Sequence, residues 1–541
     1  MTQRLELTWV GKEIRPKLEP RILLEDPEKS YHADRRVSEN DVFDNRLIFG
    51  DNLIALKALE QEFAGKVKCV FIDPPYNTGS AFEHYDDGVE HSVWLSLMRD
   101  RLVLIRELMC DSGSVWATLD DNEAHYFKVM ADEVFGRHNF VANLVWRSTD
   151  NSNNDAKQFS VDHNHLFVYS KSPDWRTNRI ARKEAQKAHY SNPDNDPRGP
   201  WFDGNPISSP AYRENLCYDL EAPDGSWIKP PKNGWRWGKE TMAERISSGE
   251  IRFTPDNTGI RRRTYLADQQ DLPPSSLWAD LEETGHNRQA KYEQKGLFPT
   301  WSKEEWFGTP KPEKLLQKIL HIACDDGDLV LDSFAGSGTT GAVAHKMGRR
   351  WIMVELGEHC HTHIIPRLRK VIDGDDAGGI TKAVGWKGGG GFRYYRLAPS
   401  LIATDKYGNE IINPEFNREM LAEAVCKLEG FTYAPSEEVY WQHGKSTDTD
   451  FVYVTTQTLT HEQLAAISEE VGDVQTLLIC CAAFRGNPDV LPNLTVKKIP
   501  RAVLHKCQWD WNEYEARVKK LGYKADRFGG LFAAPETEEA E

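Results

Sequence analysis

Val70-Phe71-Ile72-Asp73-Pro74-Pro75-Tyr76-Asn77 is the stretch whose reading decides the fold. The apolar run from Cys69 to Ile72 predicts a buried strand. An acid, two prolines and an aromatic follow it. Proline cannot continue a central strand, so the chain must turn here. The turn sets one carboxylate, one rigid carbonyl and one ring at the strand's carboxyl end, where open α/β sheets hold their ligands. Taken alone, the four residues also fit an ordinary Pro-Pro turn.

A second stretch removes most of the weight from that plainer reading. Asp332-Ser333-Phe334-Ala335-Gly336-Ser337-Gly338-Thr339-Thr340 lies between a predicted strand, Leu329 to Asp332, and a predicted helix. Glycines at such a junction let the backbone approach a ligand closely. Glu355 stands at the end of the next strand, Trp351 to Glu355, at the spacing of an acid that binds ribose hydroxyls. The loop lacks the lysine of a phosphate-binding P-loop.

Strands and helices alternate on both sides of these motifs. Arg46 to Phe49 reads as a strand, followed by Asp51 and a helix through Leu53, Leu56 and Leu59. Trp94 to Met109 has helical spacing of apolar residues. Gly113 to Leu119, Val141 to Trp146 and His165 to Tyr169 read as strands, and Asp121 to Phe135 as a helix. Residues 77–91 are polar and glycine-containing, as a mobile loop would be. Residues 176–300 break the rhythm with Pro, Gly, Asn, Arg and Trp, and the rhythm returns at Pro312. The pattern predicts a parallel or mixed sheet with helices on both faces.

The pair of motifs resembles the amino-methylating DNA methyltransferases. Their order, with Asp73-Pro74-Pro75-Tyr76 before the glycine loop and a long insert between, is similar to the β class. So is Thr309-Pro310-Lys311-Pro312-Glu313. Further stretches resemble the modification subunits of type III restriction–modification systems: 134–140, 162–165, 285–290 and 390–396. The resemblance covers about residues 40–396. It implies a Rossmann-like α/β sheet that uses S-adenosylmethionine, with permuted motif order. The expected organisation is an N-terminal arm (1–40), a catalytic half (41–175), a target-recognition insert (176–300), a cofactor half (301–390) and a smaller C-terminal α/β domain with an acidic tail (391–541). Gly388 to Gly391 reads as the linker before that last domain.

The chemistry gives a reason for the residue types. An exocyclic amine on an aromatic base is a poor nucleophile, because its lone pair is delocalised into the ring. The Asp73 carboxylate and the Pro74 carbonyl, aimed at its two N–H bonds, favour a more tetrahedral nitrogen that attacks a methyl sulfonium. Pro74 and Pro75 fix the carbonyl's direction. Tyr76 stacks on the extruded base, which is inaccessible inside a duplex. The resemblance further implies that Phe334, Gly336 and Gly338 border the cofactor. Asp332 would hold its methionine amino group, Glu355 its ribose, Asp51 its adenine, and Lys311 would lie near the methionine end. Asp51 also reads as a turn residue or helix cap, Lys311 as a solvated lysine and Glu355 as a surface acid.

The chain has 541 residues, 39% of them hydrophobic and 28% charged, as expected of a globular protein of several domains. No 18-residue apolar run and no signal-peptide core occur, which predicts a cytoplasmic location and no membrane partner. Nine scattered cysteines suggest neither a disulfide framework nor a zinc site. His163 and His165 alternate along a strand start, but the sequence shows no third ligand, so no metal is expected. Net charge is −16 overall, yet residues 176–300 hold 19 Lys+Arg against 18 Asp+Glu, leaving −17 for the rest. A phosphate-facing surface is therefore expected in the insert. Arg261-Arg262-Arg263 is the candidate contact, with a solvated charge run as the alternative.

The expected function is adenine-N6 methylation of duplex DNA at a specific site. Asp at position 73 resembles the adenine enzymes, whereas Ser is commoner in the cytosine-N4 ones. Cytosine-N4 methylation, or a non-catalytic DNA-recognition subunit, remain alternatives. The type III resemblance implies a homodimer. No helicase motif occurs, so any restriction activity would need a separate helicase–nuclease subunit.

Overall fold

The protein is described by a computed structural model covering residues 6–16, 18–19, 21–77, 81–82, 85–86, 91–204, 207–407 and 410–499. The expected loop at 77–91 and the tail after Pro535 lie largely or wholly outside these residues.

An eleven-stranded sheet organises the larger unit. Its strands, in chain order, are β1 (Leu23–Glu25), β2 (Tyr31–His32), β3 (Asn45–Phe49), β4 (Val67–Ile72), β5 (Met109–Leu119), β6 (Phe140–Arg147), β7 (His163–Ser170), β8 (Leu277–Trp278), β9 (Leu329–Asp332), β10 (Arg350–Glu355) and β11 (Gly391–Leu397). Across the sheet the order is β1-β11-β3-β10-β9-β4-β5-β7-β6-β8, with β2 also pairing β11. The six strands from β11 to β5 run parallel; β7 pairs antiparallel to β5. Central parallel strands are covered on both faces, so they read as continuous apolar runs. Thus Val70, Phe71 and Ile72 of β4 and Val330 and Leu331 of β9 are all buried.

The helices that matter for the site are α1 (Asn52–Phe63), α2 (His91–Leu108), α3 (Ala124–Phe135), α4 (Glu313–Ala323) and α5 (Thr339–Lys346). Leu53, Leu56 and Leu59 of α1 and Trp94, Met98, Leu102 and Ile105 of α2 pack against the sheet in one core. From β4 the chain proceeds to β5 on one side, and from β9 to β10 on the other. The gap between β4 and β9 is therefore a topological switch point, and both motifs open onto it.

Several expectations shift. Residues 177–274 form a compact unit of their own, ending well before residue 300. The reason is that Leu277–Trp278 pairs with β6 of the main sheet and Asn287–Leu297 is a helix of the larger unit. The smaller unit has its own core of Ile228, Trp235, Met242, Ile251 and Ile260, and a three-stranded sheet of Trp201–Gly204, Ile260–Tyr265 and Ile251–Phe253. The N-terminal arm is not wholly irregular, since β1 and β2 edge the sheet. Gly388 to Gly391 is no linker. Gly388, Gly389 and Gly390 turn with positive φ, and Gly391 begins β11, which lies between β1 and β3 in the sheet. The described residues beyond β11 belong to the larger unit; among them Asp450–Leu459, Thr476–Phe484 and Leu494–Lys498 form a parallel ladder and His461–Val471 a helix.

Candidate active site

The turn after β4 is held from three sides. Asp73 follows β4 directly, and Thr118 lies beyond the matched pair Ile72 and Ala117, so its hydroxyl reaches the Asp73 Oδ1. The Lys311 ammonium pairs with the other oxygen, Oδ2. The Trp94 indole N–H donates to the Pro75 carbonyl at 2.9 Å. That contact holds the Pro75 carbonyl on the helix side of the turn. Asn77 closes the turn at φ 58°, a conformation asparagine tolerates better than most residues.

Tyr76 is fixed through its phenol. The Asn164 side-chain amide donates to the Tyr76 hydroxyl at 2.9 Å, and Ser148 Oγ donates to the Asn164 carbonyl at 2.7 Å. Burial pushes the Tyr76 phenol well above its ordinary range, and the Asp73 charge adds to that. Tyr76 is thus a neutral ring. The Lys311 ammonium sits 5.2 Å from its centroid, a cation–π distance.

The loop after β9 is built differently. Asp332 is 2% exposed. Its Oδ1 accepts from the Phe334 N–H at 2.9 Å and its Oδ2 from the Thr340 hydroxyl. Among the described residues no Lys, Arg or His is recorded as pairing with it. Burial pushes the carboxyl up to about 7 against those two hydrogen bonds, and the charges of Asp73 and Glu355 push the same way. Gly336 takes φ 53° and lines the same cleft as Asp73, Pro74, Pro75, Tyr76, Lys311, Asp332 and Phe334, together with Phe307, Thr309 and Thr339. The four candidate catalytic residues and four of the seven candidate cofactor residues therefore share one cleft at the switch point.

Three expected cofactor residues stand outside that lining. Asp51 caps α1, accepting from the Leu53 and Ile54 N–H groups at 2.9 and 3.1 Å, and pairs with Arg101 at 3.2 Å. The helix-cap reading is the one the geometry supports. Glu355 is also committed. Its Oε2 accepts from the Gly336 N–H at 2.8 Å, and its Oε1 from Leu356 and Gly357 at 2.9 Å, with His359 Nε2 at 2.9 Å. Burial works to raise this carboxyl, but His359 and the backbone donors outweigh it and hold it below its ordinary value. Glu355 shapes the loop from behind. Gly338 caps α5 at φ 75°, and a Cβ there would meet Ile364 at 3.0 Å, not the cleft. A side chain at 338 would thus disturb the loop's backing, whereas the resemblance implied that Gly338 borders the cofactor. Lys311 lies in the cleft as expected, but on Asp73 and Tyr76.

Thr118, Trp94, Asn164 and Asn52 escaped the sequence reading. Asn52 donates to the Ser333 carbonyl at 2.7 Å, tying α1 to the glycine loop. Trp94 was visible only as part of an apolar helical stripe. Asn164 lay in the quoted stretch Asp162 to His165, which carried a resemblance and no role.

In the smaller unit the arginine run lies on the strand Ile260–Tyr265. Arg262 pairs with Glu250 at 2.9 Å, and Arg263 with Asp196 at 2.9 Å and also with Asp194, its guanidinium 4.3 Å from the Trp201 ring centroid. Arg261 is exposed. Three equivalent phosphate contacts do not follow: two of the arginines are held by acids, because alternate residues of a strand point to opposite faces and each face here carries carboxylates.

A Rossmann-like sheet with an Asp-Pro-Pro-Tyr turn and a glycine loop opening side by side defines a methyltransferase fold. The DNA methylase family matches residues 67–365, more than half of the chain, and the chain belongs to that family. It is 30% identical to a probable type III restriction–modification enzyme HindVI Mod subunit of Haemophilus influenzae, over 68% of this chain and 55% of that one. It is 29% identical to the StyLTI Mod subunit of Salmonella typhimurium, over 63% and 55%. It is 54% identical to the DNA adenine methyltransferase YhdJ of Escherichia coli K12, over 57% and 78%. The matched region spans little more than half the length of the two Mod subunits. No helix among the described residues is long and apolar enough to cross a membrane.

Proposed function

We propose that this chain transfers a methyl group from S-adenosylmethionine to the N6 amine of adenine in duplex DNA, at a specific site. The observation that carries the reading is that Asp73, Tyr76 and Asp332 line one cleft between two adjacent parallel strands. The cofactor supplies an electrophilic methyl on a sulfonium. Its own ammonium fits Asp332, a buried carboxylate with no recorded cationic partner among the described residues. The Phe334 ring and the Gly336 backbone border the same space. Glu355 acts through Gly336, whose N–H it holds.

Asp73 and the Pro74 carbonyl accept from the target amine and raise the lone pair's availability. Tyr76, kept neutral and fixed by Asn164, offers its face to the extruded base. The Lys311 ammonium stands at the Asp73 carboxylate and over the Tyr76 face, where the amine's developing positive charge also belongs. An incoming base therefore takes over contacts that Lys311 holds in its absence. The target nitrogen would gain a bond to the methyl carbon as the methyl–sulfur bond breaks and leaves a neutral thioether, and it would then lose one proton to restore a neutral amine.

Tritiated methyl transfer to DNA, followed by nucleoside analysis, tests the proposal. N6-methyladenine is the expected product. N4-methylcytosine would replace adenine by cytosine as the target, and no incorporation by folded protein would leave a DNA-recognition subunit.

The smaller unit, residues 177–274, is assigned DNA grip and site choice, with Arg261 as its exposed member of the arginine run. The two Mod-subunit relatives support placing the chain in a restriction–modification system. The proposal extends to a homodimer that works beside a separate helicase–nuclease subunit in the cytoplasm. Light scattering with and without DNA checks the dimer; a monomer mass in both would reject it.

A further inference from the structure

His163 and His165 occupy alternate positions at the start of β7 and so project to the same face. Their ring centroids are 5.4 Å apart. The sequence offered no third ligand, but the fold brings one. Strand β5 pairs Leu119 with His165, and Asp121, two residues further on, reaches the His165 Nε2 at 2.8 Å. One ligand atom from each of Asp121, His163 and His165 lies within 4.8 Å of the others. Zinc–nitrogen and zinc–oxygen bonds near 2.1 Å at tetrahedral angles put ligand atoms about 3.4 Å apart, so closing on an ion takes side-chain rotations that move these atoms by roughly an ångström.

The surroundings suit a metal. Asn143 lies 3.0 Å from the His165 Nδ1, which fixes the ring and leaves Nε2 pointing at Asp121. His125, exposed on α3, has its ring centroid 6.0 Å from that of His165 and borders the cluster. Asp121 is half exposed, so an ion has an entry path. Two imidazoles and a carboxylate with an open position form a donor set for zinc and its neighbours, and not for magnesium, which prefers oxygen.

We infer that Asp121, His163 and His165 form a binding site for one divalent transition-metal ion of the zinc type. The site adjoins the cleft. Asn164, between the two histidines, points to the other face of β7 and holds the Tyr76 hydroxyl. An ion bound by both its neighbours stiffens the strand segment from which Asn164 reaches Tyr76. The inference stands apart from the methyl-transfer reading, since metal binding is measured without DNA or cofactor.

Calorimetric titration of the whole protein with zinc chloride, repeated with cobalt chloride and visible spectroscopy, tests it. The expected result is one saturable equivalent that His163→Gln, His165→Gln and Asp121→Asn each abolish or weaken at least about tenfold, with the cobalt bands lost in step. His461→Gln, at the start of the helix His461–Val471 and outside the cluster, should leave the titration unchanged. Circular dichroism establishes that each variant is folded. Binding that survives in the folded histidine variants, or wild-type protein that binds no zinc, overturns the site and leaves Asp121 and His165 as a simple hydrogen-bonded pair.

Discussion

Two aspartates stand at the carboxyl ends of adjacent strands, and they are kept in opposite conditions. Asp73, after β4, is answered by a cation and a hydroxyl from the protein itself, Lys311 and Thr118. Asp332, ending β9, is 2% exposed, has no recorded cationic partner among the described residues and is pushed to about 7. A carboxylate that must accept from a neutral amine is best held ionised and aimed in advance. One that must hold an ammonium gains most if the site leaves the countercharge to the ligand. Under the proposed function, the difference gives the base half of the cleft to Asp73 and the cofactor half to Asp332.

The largest effect that would break this assignment is on chemistry. Asp73→Ala should lower methyl transfer by about 10²–10³ or more, since one preorganised acceptor is lost. Cofactor affinity, measured by calorimetry, should hardly change. Near-normal turnover would remove Asp73 from the reaction.

Asp332→Asn should act the other way, weakening S-adenosylmethionine binding first. The pH dependence carries the sign. Asp332 is protonated below about 7 and ionised above it, and an ammonium prefers the ionised form. Wild-type affinity should therefore rise with pH, by up to about tenfold per unit, and level off above about 7. The asparagine variant should lose that slope. Without ligand the same carboxyl, raised from an ordinary 3.8, contributes stability that is complete below 3.8 and lost as pH rises through about 7. A flat wild-type affinity profile would place the ammonium elsewhere.

Lys311→Met separates two roles. If Lys311 serves Asp73, the turnover rate should fall about tenfold, equivalent to about 1.4 kcal/mol, with cofactor affinity intact. Weaker cofactor binding at unchanged turnover would restore the methionine-end role that the resemblance implied. The smallest effect belongs to the smaller unit. Arg261→Ala should flatten the salt dependence of DNA binding by roughly one unit of slope. Arg263→Ala should instead destabilise the smaller unit by breaking its pairs with Asp194 and Asp196, read as a lower melting temperature.

The parts of the site legible in the sequence were those set by chain-local rules. An apolar run stopped by two prolines, and a glycine loop between strand and helix, fix their own positions, so Asp73, Tyr76, Asp332 and Gly336 fell where expected. Residues whose role depends on which groups the folded backbone turns toward them were not legible. Glu355 carries the right spacing, but its oxygens are taken by Gly336, Leu356, Gly357 and His359. Thr118 matters only because β5 lies beside β4 in a particular register. The arginine run suggested DNA by charge alone, and the acids that claim two of its members lie 12 to 69 residues away. The glycines at 388–390 imitate a linker in composition while turning the chain into a strand of the main sheet.

That last strand has a consequence for how the protein comes into being. Strand β3 has two neighbours, β10 and β11, and Arg350 follows Phe49 by 301 positions. At roughly 5–20 residues per second of synthesis, β3 waits about 15–60 s for its first partner. Through that interval its ladder groups face whatever else is nearby, the hazard of any open strand edge. The middle of the sheet is therefore sealed late, and a ribosome that stalls before residue 397 leaves β3 with an edge on which a second nascent chain can dock.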